Sequence, residues 1–145
     1  MILGNLAAQT AARLATIEGY RSVRDTADLF SDGRLGLVII CDAAGLAVGV
    51  VSKSDLVRYL ARDGNIGADV ATVMTRAVIA GSPADDLRGT WELMTRRRLQ
   101  NLPLLAQNRR PVGTLDIRDA LQAMVEFEQE QETQLINYIA GAGYR

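Results

Sequence analysis

Apolar and polar positions follow one scheme twice along this chain. Between Ser22 and Phe30 the apolar residues Val23, Ala27 and Phe30 fall at helical spacing. Asp32-Gly33 is expected to stop that helix, with Gly33 free to take a positive φ. Leu37 to Cys41 is an unbroken, β-branched apolar run, the pattern of a strand covered on both faces. Asp42-Ala43-Ala44-Gly45 reads as a hairpin turn with Gly45 in the left-handed region. Leu46 to Val51 is the return strand, Ser52-Lys53-Ser54-Asp55 opens a helix running to about Arg62, and Asp63-Gly64-Asn65 ends it.

The second half repeats the series. Ser82-Pro83 leads into a helix expected from about Ala84 to Arg97, with Leu87, Trp91 and Met94 on one face. Leu102 to Leu105 is a strand, Gln107-Asn108-Arg109-Arg110 its turn, Pro111 to Leu115 the return strand, and a helix begins near Ile117. The two copies align without a gap at an offset of 64: Val48-Gly49-Val50-Val51-Ser52-Lys53-Ser54-Asp55 on Val112-Gly113-Thr114-Leu115-Asp116-Ile117-Arg118-Asp119. Arg13-Leu14-Ala15-Thr16 and Ala77-Val78-Ile79-Ala80 precede the copies and are expected to add a small strand to each. The predicted order is β-α-β-β-α, twice.

That order, together with the duplicated hydrophobic-Gly-hydrophobic-hydrophobic-Ser-x-x-Asp ending, resembles the CBS domain, here as a tandem pair (a Bateman module). Val73-Met74-Thr75 resembles the family's short lead-in segment. The resemblance implies an α+β fold of two small sheets packed with pseudo-two-fold symmetry. Domain 1 would span residues 9–66, domain 2 residues 73–125, and a C-terminal helical tail residues 126–145. It further implies two related clefts that take adenine-containing ligands such as AMP, ADP, ATP or S-adenosylmethionine, and assembly as a homodimer. Such a ligand would be regulatory; no cofactor is required and no catalysis is expected.

The motif residues have chemistry suited to such a ligand. A carboxylate can accept bonds from both hydroxyls of a ribose, and a helix N-terminus presents N–H groups and a partial positive charge to a phosphate. Asp55 would hold a ribose, with Ser52 and the backbone at Lys53 and Ser54 toward a phosphate; Asp119 would play the ribose role in the second cleft. There Asp116 replaces the usual Ser or Thr. Its charge repels phosphate unless Arg118 turns inward to offset it, which favours the Asp55 cleft for a nucleotide. By the family resemblance, the adenine slot comes from the opposite repeat: Ile79, Ala80, Leu102 and Pro103 for the Asp55 cleft, and Ala15, Thr16, Leu37 and Val38 for the Asp119 cleft. The same motif also reads as an ordinary helix cap, Ser and Asp bonding reciprocally with the backbone.

Composition narrows the field. The chain has no histidine and one cysteine, Cys41, so histidine catalysis, histidine metal sites and an internal disulfide are excluded. Cys41 lies in an apolar run and reads as a buried hydrophobe, in keeping with a reducing cytoplasm. The formal net charge of −1 carries no field for nucleic acid, and Arg96-Arg97-Arg98 with Arg109-Arg110 reads as a solvated helix end. No apolar stretch is long enough for a membrane helix. From Met124 onward, the Glu/Gln tract and the apolar Leu135, Ile136, Tyr138 and Ile139 predict a helix projecting past the repeats. Its end needs cover from the same chain, a second copy or a client protein. The alternative to ligand sensing is a dimeric scaffold acting through that helix.

Overall fold

The computed structural model describes residues 1–62 and 64–143. A 3-10 turn at Leu3–Leu6 runs into helix α1 (Ala7–Ala12), an opening the apolar pattern did not announce. The first repeat then comprises β1 (Thr16–Glu18), α2 (Val23–Phe30), β2 (Leu37–Cys41), β3 (Ala47–Ser52) and α3 (Lys53–Arg62). The second comprises α4 (Leu87–Arg97), β4 (Asn101–Leu105), β5 (Pro111–Asp116) and α5 (Ile117–Gly143). β2 and β3 superimpose in sequence on β4 and β5 at the offset of 64, and α3 and α5 start 64 residues apart. The first sheet has the order β1-β2-β3, with β1 parallel and β3 antiparallel to β2; the second pairs β4 with β5.

Alternation along β2 divides its side chains between two environments. Val38 and Ile40 enter the core of the first repeat with Val23 and Phe30 of α2 and Leu56 of α3. Ile39 and Cys41 enter a separate cluster with Ala47, Leu14, Val50 and Leu105 of β4, which joins the sheets. Every residue of β2 is buried, as its continuous apolar run requires. In the second repeat, Leu102 and Leu104 pack with Leu87, Met94, Leu115 and Ala120, with Trp91 half-buried beside them.

The repeats exchange their lead-in segments. Leu3 and Leu6 belong to the core of the second repeat, and Val70 belongs to that of the first. The backbone bonds match pair by pair. Val23 N donates to Ala68 O as Leu87 N donates to Met1 O; Val70 N donates to Arg21 O as Leu3 N donates to Asp85 O. Thr75 exchanges two bonds, 2.8 and 3.0 Å, with Val50 on the free edge of β3. The glycine of each motif admits the incoming segment: a Cβ on Gly49 would meet Met74 and Thr75 O, and one on Gly113 would meet Thr10 of α1. Burying a leucine completely stabilises by about 1.5–3 kcal/mol, so the N-terminal turn is part of the second core, not an appendage.

Several expectations need correction. The first lead-in strand lies at Thr16–Glu18 instead of Arg13–Thr16, because Arg13 and Leu14 donate their N–H groups to Thr10 O and Ala11 O at the end of α1. Ala77–Ala80 forms no strand. The second lead-in shrinks to one parallel bridge between Gly81 and Leu104, the counterpart of Ile17 opposite Ile40, and the Ser82-Pro83 turn follows at once. Helix α4 starts at Leu87 instead of Ala84, since the Asp86 carboxylate caps Gly89 N at 2.9 Å. Gly33 does not adopt a positive φ: α2 is closed by Ser31 in a helical conformation, and Asp32 accepts a bond from Arg34 N. Gly45 (φ 79°) and Gly64 (φ 72°) do take the left-handed form. Asp63 of the expected helix stop and residues 144–145 of the expected tail lie outside the described residues.

Candidate functional site

Both motif carboxylates stand on the first turn of a helix that leaves an antiparallel hairpin, but their surroundings differ. At the first, Asp55 N donates to Ser52 Oγ and Ser52 N donates to Asp55 Oδ2, each 3.1 Å, so the capping reading of the motif holds here. The other oxygen, Oδ1, accepts from Arg58 Nη1 at 3.3 Å in an exposed pair. Lys53 N donates to Gly36 O, so this N–H is not turned to a phosphate; the Lys53 and Ser54 side chains are exposed. Asp55, Arg58, Tyr59 and Arg62 form one face of α3 and, with Thr72, Val73 and Thr75 of the lead-in, line a groove of about 440 Å³.

At the second, the carboxylates are tied across the seam between repeats. Arg13, just past α1, donates from Nε to Asp119 Oδ2 at 2.6 Å and from Nη2 to Asp119 Oδ1 at 3.2 Å. Its Nη1 donates to Arg34 O at 2.6 Å and lies 3.5 Å from Asp116 Oδ2. Asp116 is buried, and both of its oxygens accept from the Arg118 guanidinium at 3.0 and 2.8 Å, with Arg118 N adding a bond of 2.8 Å. Arg118 thus turns toward Asp116 while its side chain stays largely in solvent. Burial pushes the Asp116 carboxyl up, but the Arg118 bonds and the charges of Arg118 and Arg13 outweigh it and hold the group below the usual carboxylate range. The bond to Asp119 raises Arg13 against the opposing effect of burial. Asn101, paired with Asp116 across β4 and β5, and Thr114, on the same face, each bury an oxygen without a hydrogen-bond partner among the described residues.

The expected adenine slots are only partly assembled. Val38 and Leu102 are fully buried in the cores of their own repeats and present no surface, because alternation turns them away from the seam. Ala15 also belongs to the first core, and Leu37 and Pro103 are buried. Ile79, Ala80 and Thr16 are exposed, but neither Ile79 nor Ala80 lines the groove beside Asp55. Sequence reasoning missed Arg13. Its signal was present: a cation inside the lead-in segment of one repeat, where the other copy has Ala77 at the offset of 64.

The family model described as "CBS domain" matches residues 11–62 and 69–126. Arabinose 5-phosphate isomerase GutQ of Salmonella typhi is 32% identical over 105 residues; the match covers 70% of this chain, which spans only 32% of GutQ. Among solved structures, CBSX2 in complex with AMP superimposes with a TM-score of 0.76 at 19% identity, covering 88% of this chain and 98% of that one. The CBS domain pair of protein MJ0100, in complex with 5′-methylthioadenosine and S-adenosyl-L-methionine, gives 0.75 at 17% identity, covering 88% and 98%.

Proposed function

The chain belongs to the CBS domain family, as two repeats, and from that premise we propose that it is a regulatory module sensing an adenine nucleotide or nucleoside at the seam between them. One observation carries the reading: two helix-start carboxylates, Asp55 and Asp119, stand at equivalent places, each beside a lead-in segment. The ligands named for the AMP and S-adenosyl-L-methionine complexes above support an adenine-bearing ligand. Asp55 takes the ribose, its exposed pair with Arg58 costing little to open. Arg58 and Arg62 stand on the same helix face, where a phosphate would meet positive charge. Occupancy would signal through differential affinity for two arrangements of the repeats. We place the module in the cytoplasm, as a homodimer acting on a client protein, without catalysis of its own. Among the described residues no helix is long and apolar enough to cross a membrane.

A thermal-shift panel of AMP, ADP, ATP, S-adenosylmethionine and adenosine tests this. A ligand at a hundredfold its Kd stabilises by about 2.7 kcal/mol, and Asp55→Ala should abolish that gain for the nucleotides. A flat response to the whole panel rejects the sensing role. It would leave the scaffold reading, whose support is α5: this helix runs to Gly143 with Leu135, Ile136, Tyr138 and Ile139 exposed.

A further inference from the structure

We propose that Arg13 decides which of the two clefts accepts a ligand, by holding the Asp119 cleft shut. This rests on the ligand-sensing reading above. Arg13 comes from the first repeat and meets Asp119 from the seam, and its fork engages both carboxylate oxygens, at 2.6 and 3.2 Å. A ribose entering along the seam needs the same side of the same two oxygens for its pair of hydroxyls. Guanidinium and ribose therefore exclude one another there.

The pin is well seated. A third nitrogen of Arg13 bonds Arg34 O at 2.6 Å, and Asp116, 3.5 Å away, adds a second negative charge. Arg13 is mostly buried, so water screens the pair far less than at Arg58–Asp55, where the arginine is 58% exposed. In the first cleft the position equivalent to Arg13 is Ala77, which has no charge to offer Asp55. The copies that align best in sequence are thus unequal at the residue that matters for access. At Asp55 a ribose has to displace only the exposed Arg58 bond and share the oxygen that caps Ser52 N. At Asp119 it must release a largely buried ion pair that ties Arg13, just past α1, to α5.

Isothermal titration with AMP and with adenosine tests this on wild type, Arg13→Ala and Arg13→Gln, each also carrying Asp55→Ala or Asp119→Ala. Arg13→Gln keeps most of the side chain's packing and guards against a folding defect. The expected stoichiometry is one ligand per wild-type chain, lost with Asp55→Ala, and two per Arg13 variant chain, the second lost with Asp119→Ala. Two ligands on wild type, or one on both folded Arg13 variants through Asp55 alone, overturns the pin and leaves the sensing role intact. No binding to wild type but one ligand on the Arg13 variants through Asp119 upholds the pin and discards the Asp55 site. No binding to any of these proteins overturns both.

Discussion

Gly113→Ala is expected to destabilise the protein by prising α1 off the second sheet. Gly113 lies in β5 directly beneath Thr10, and a Cβ built on it falls 2.9 Å from Thr10 Cβ and Oγ1 and 3.1 Å from Thr10 C. Carbon atoms rest at about 3.5–4.0 Å, so a separation of roughly half an ångström or more must be made. The obstructing atoms include backbone, so α1 has to move as a body. Overpacking of this kind costs about 1–3 kcal/mol, and the lower entropy of the unfolded alanine chain returns about 0.5–1 kcal/mol. The middle of these ranges is a net loss of about 1–2 kcal/mol, or roughly 3–7 °C in Tm for a chain of this size. Circular dichroism melts of wild type, Gly113→Ala and Gly33→Ala provide the measurement. Gly33 meets nothing within 4 Å and lies outside the left-handed region, so its alanine variant should melt within about 2 °C of wild type. Gly49→Ala first meets the flexible end of Met74 and should lose less than Gly113→Ala. If Gly113→Ala melts with wild type, the exchange of lead-in segments is not tight and the packing argument fails.

Other outcomes follow from the same geometry. Leu102→Ala should lose about 2–5 kcal/mol in urea unfolding without any ligand present, since Leu102 is core; a stable variant that has lost only ligand affinity would restore it to the adenine slot. Asp116 titrates lower when folded than when unfolded, so its stabilisation is complete above the unfolded value of about pH 4 and disappears as the pH falls through the lower folded value. Asp116→Asn should therefore flatten the acid limb of a stability-against-pH curve below about pH 4, and an unchanged limb would contradict the role given to Arg118 and Arg13. Cys41 is buried, and that burial, ahead of the charges of Asp42 and Glu18, pushes its thiol up. A thiol reagent at neutral pH should leave the folded protein unmodified and label one thiol after denaturation; rapid labelling of the native state would refute the burial.

The repeat was visible because the elements that make it are short and strongly patterned. An unbroken run such as Leu37 to Cys41 and a glycine turn such as Asp42 to Gly45 specify a hairpin locally. The lead-in segments were less legible for a definite reason. Their bonding partners are 67 residues apart, Ala68 matching Met1 and Val70 matching Leu3, so a gapless register of 64 passes over them. Their role depends on which core they reach, and no local periodicity records that. Side-chain facing was hidden in the same way: a wholly apolar strand does not reveal which of its residues face inward, and the Val38 and Leu102 side chains lie in the cores of their own repeats. The motif carboxylates were found from their duplication, whereas the cation that answers one of them became meaningful only when Arg13 and Asp119, 106 residues apart, met in space.

The crossed lead-ins make the two halves mutually dependent in a stronger sense than shared surface would. Cutting the chain after Arg62 would leave the first piece with a cap that fits only its sibling, and the sibling with one that fits only the first. Neither piece is a separable building block that could be transplanted singly into another protein. The smallest portable unit here is the interlocked couple, and a change in how one piece sits is felt by the other through the backbone itself.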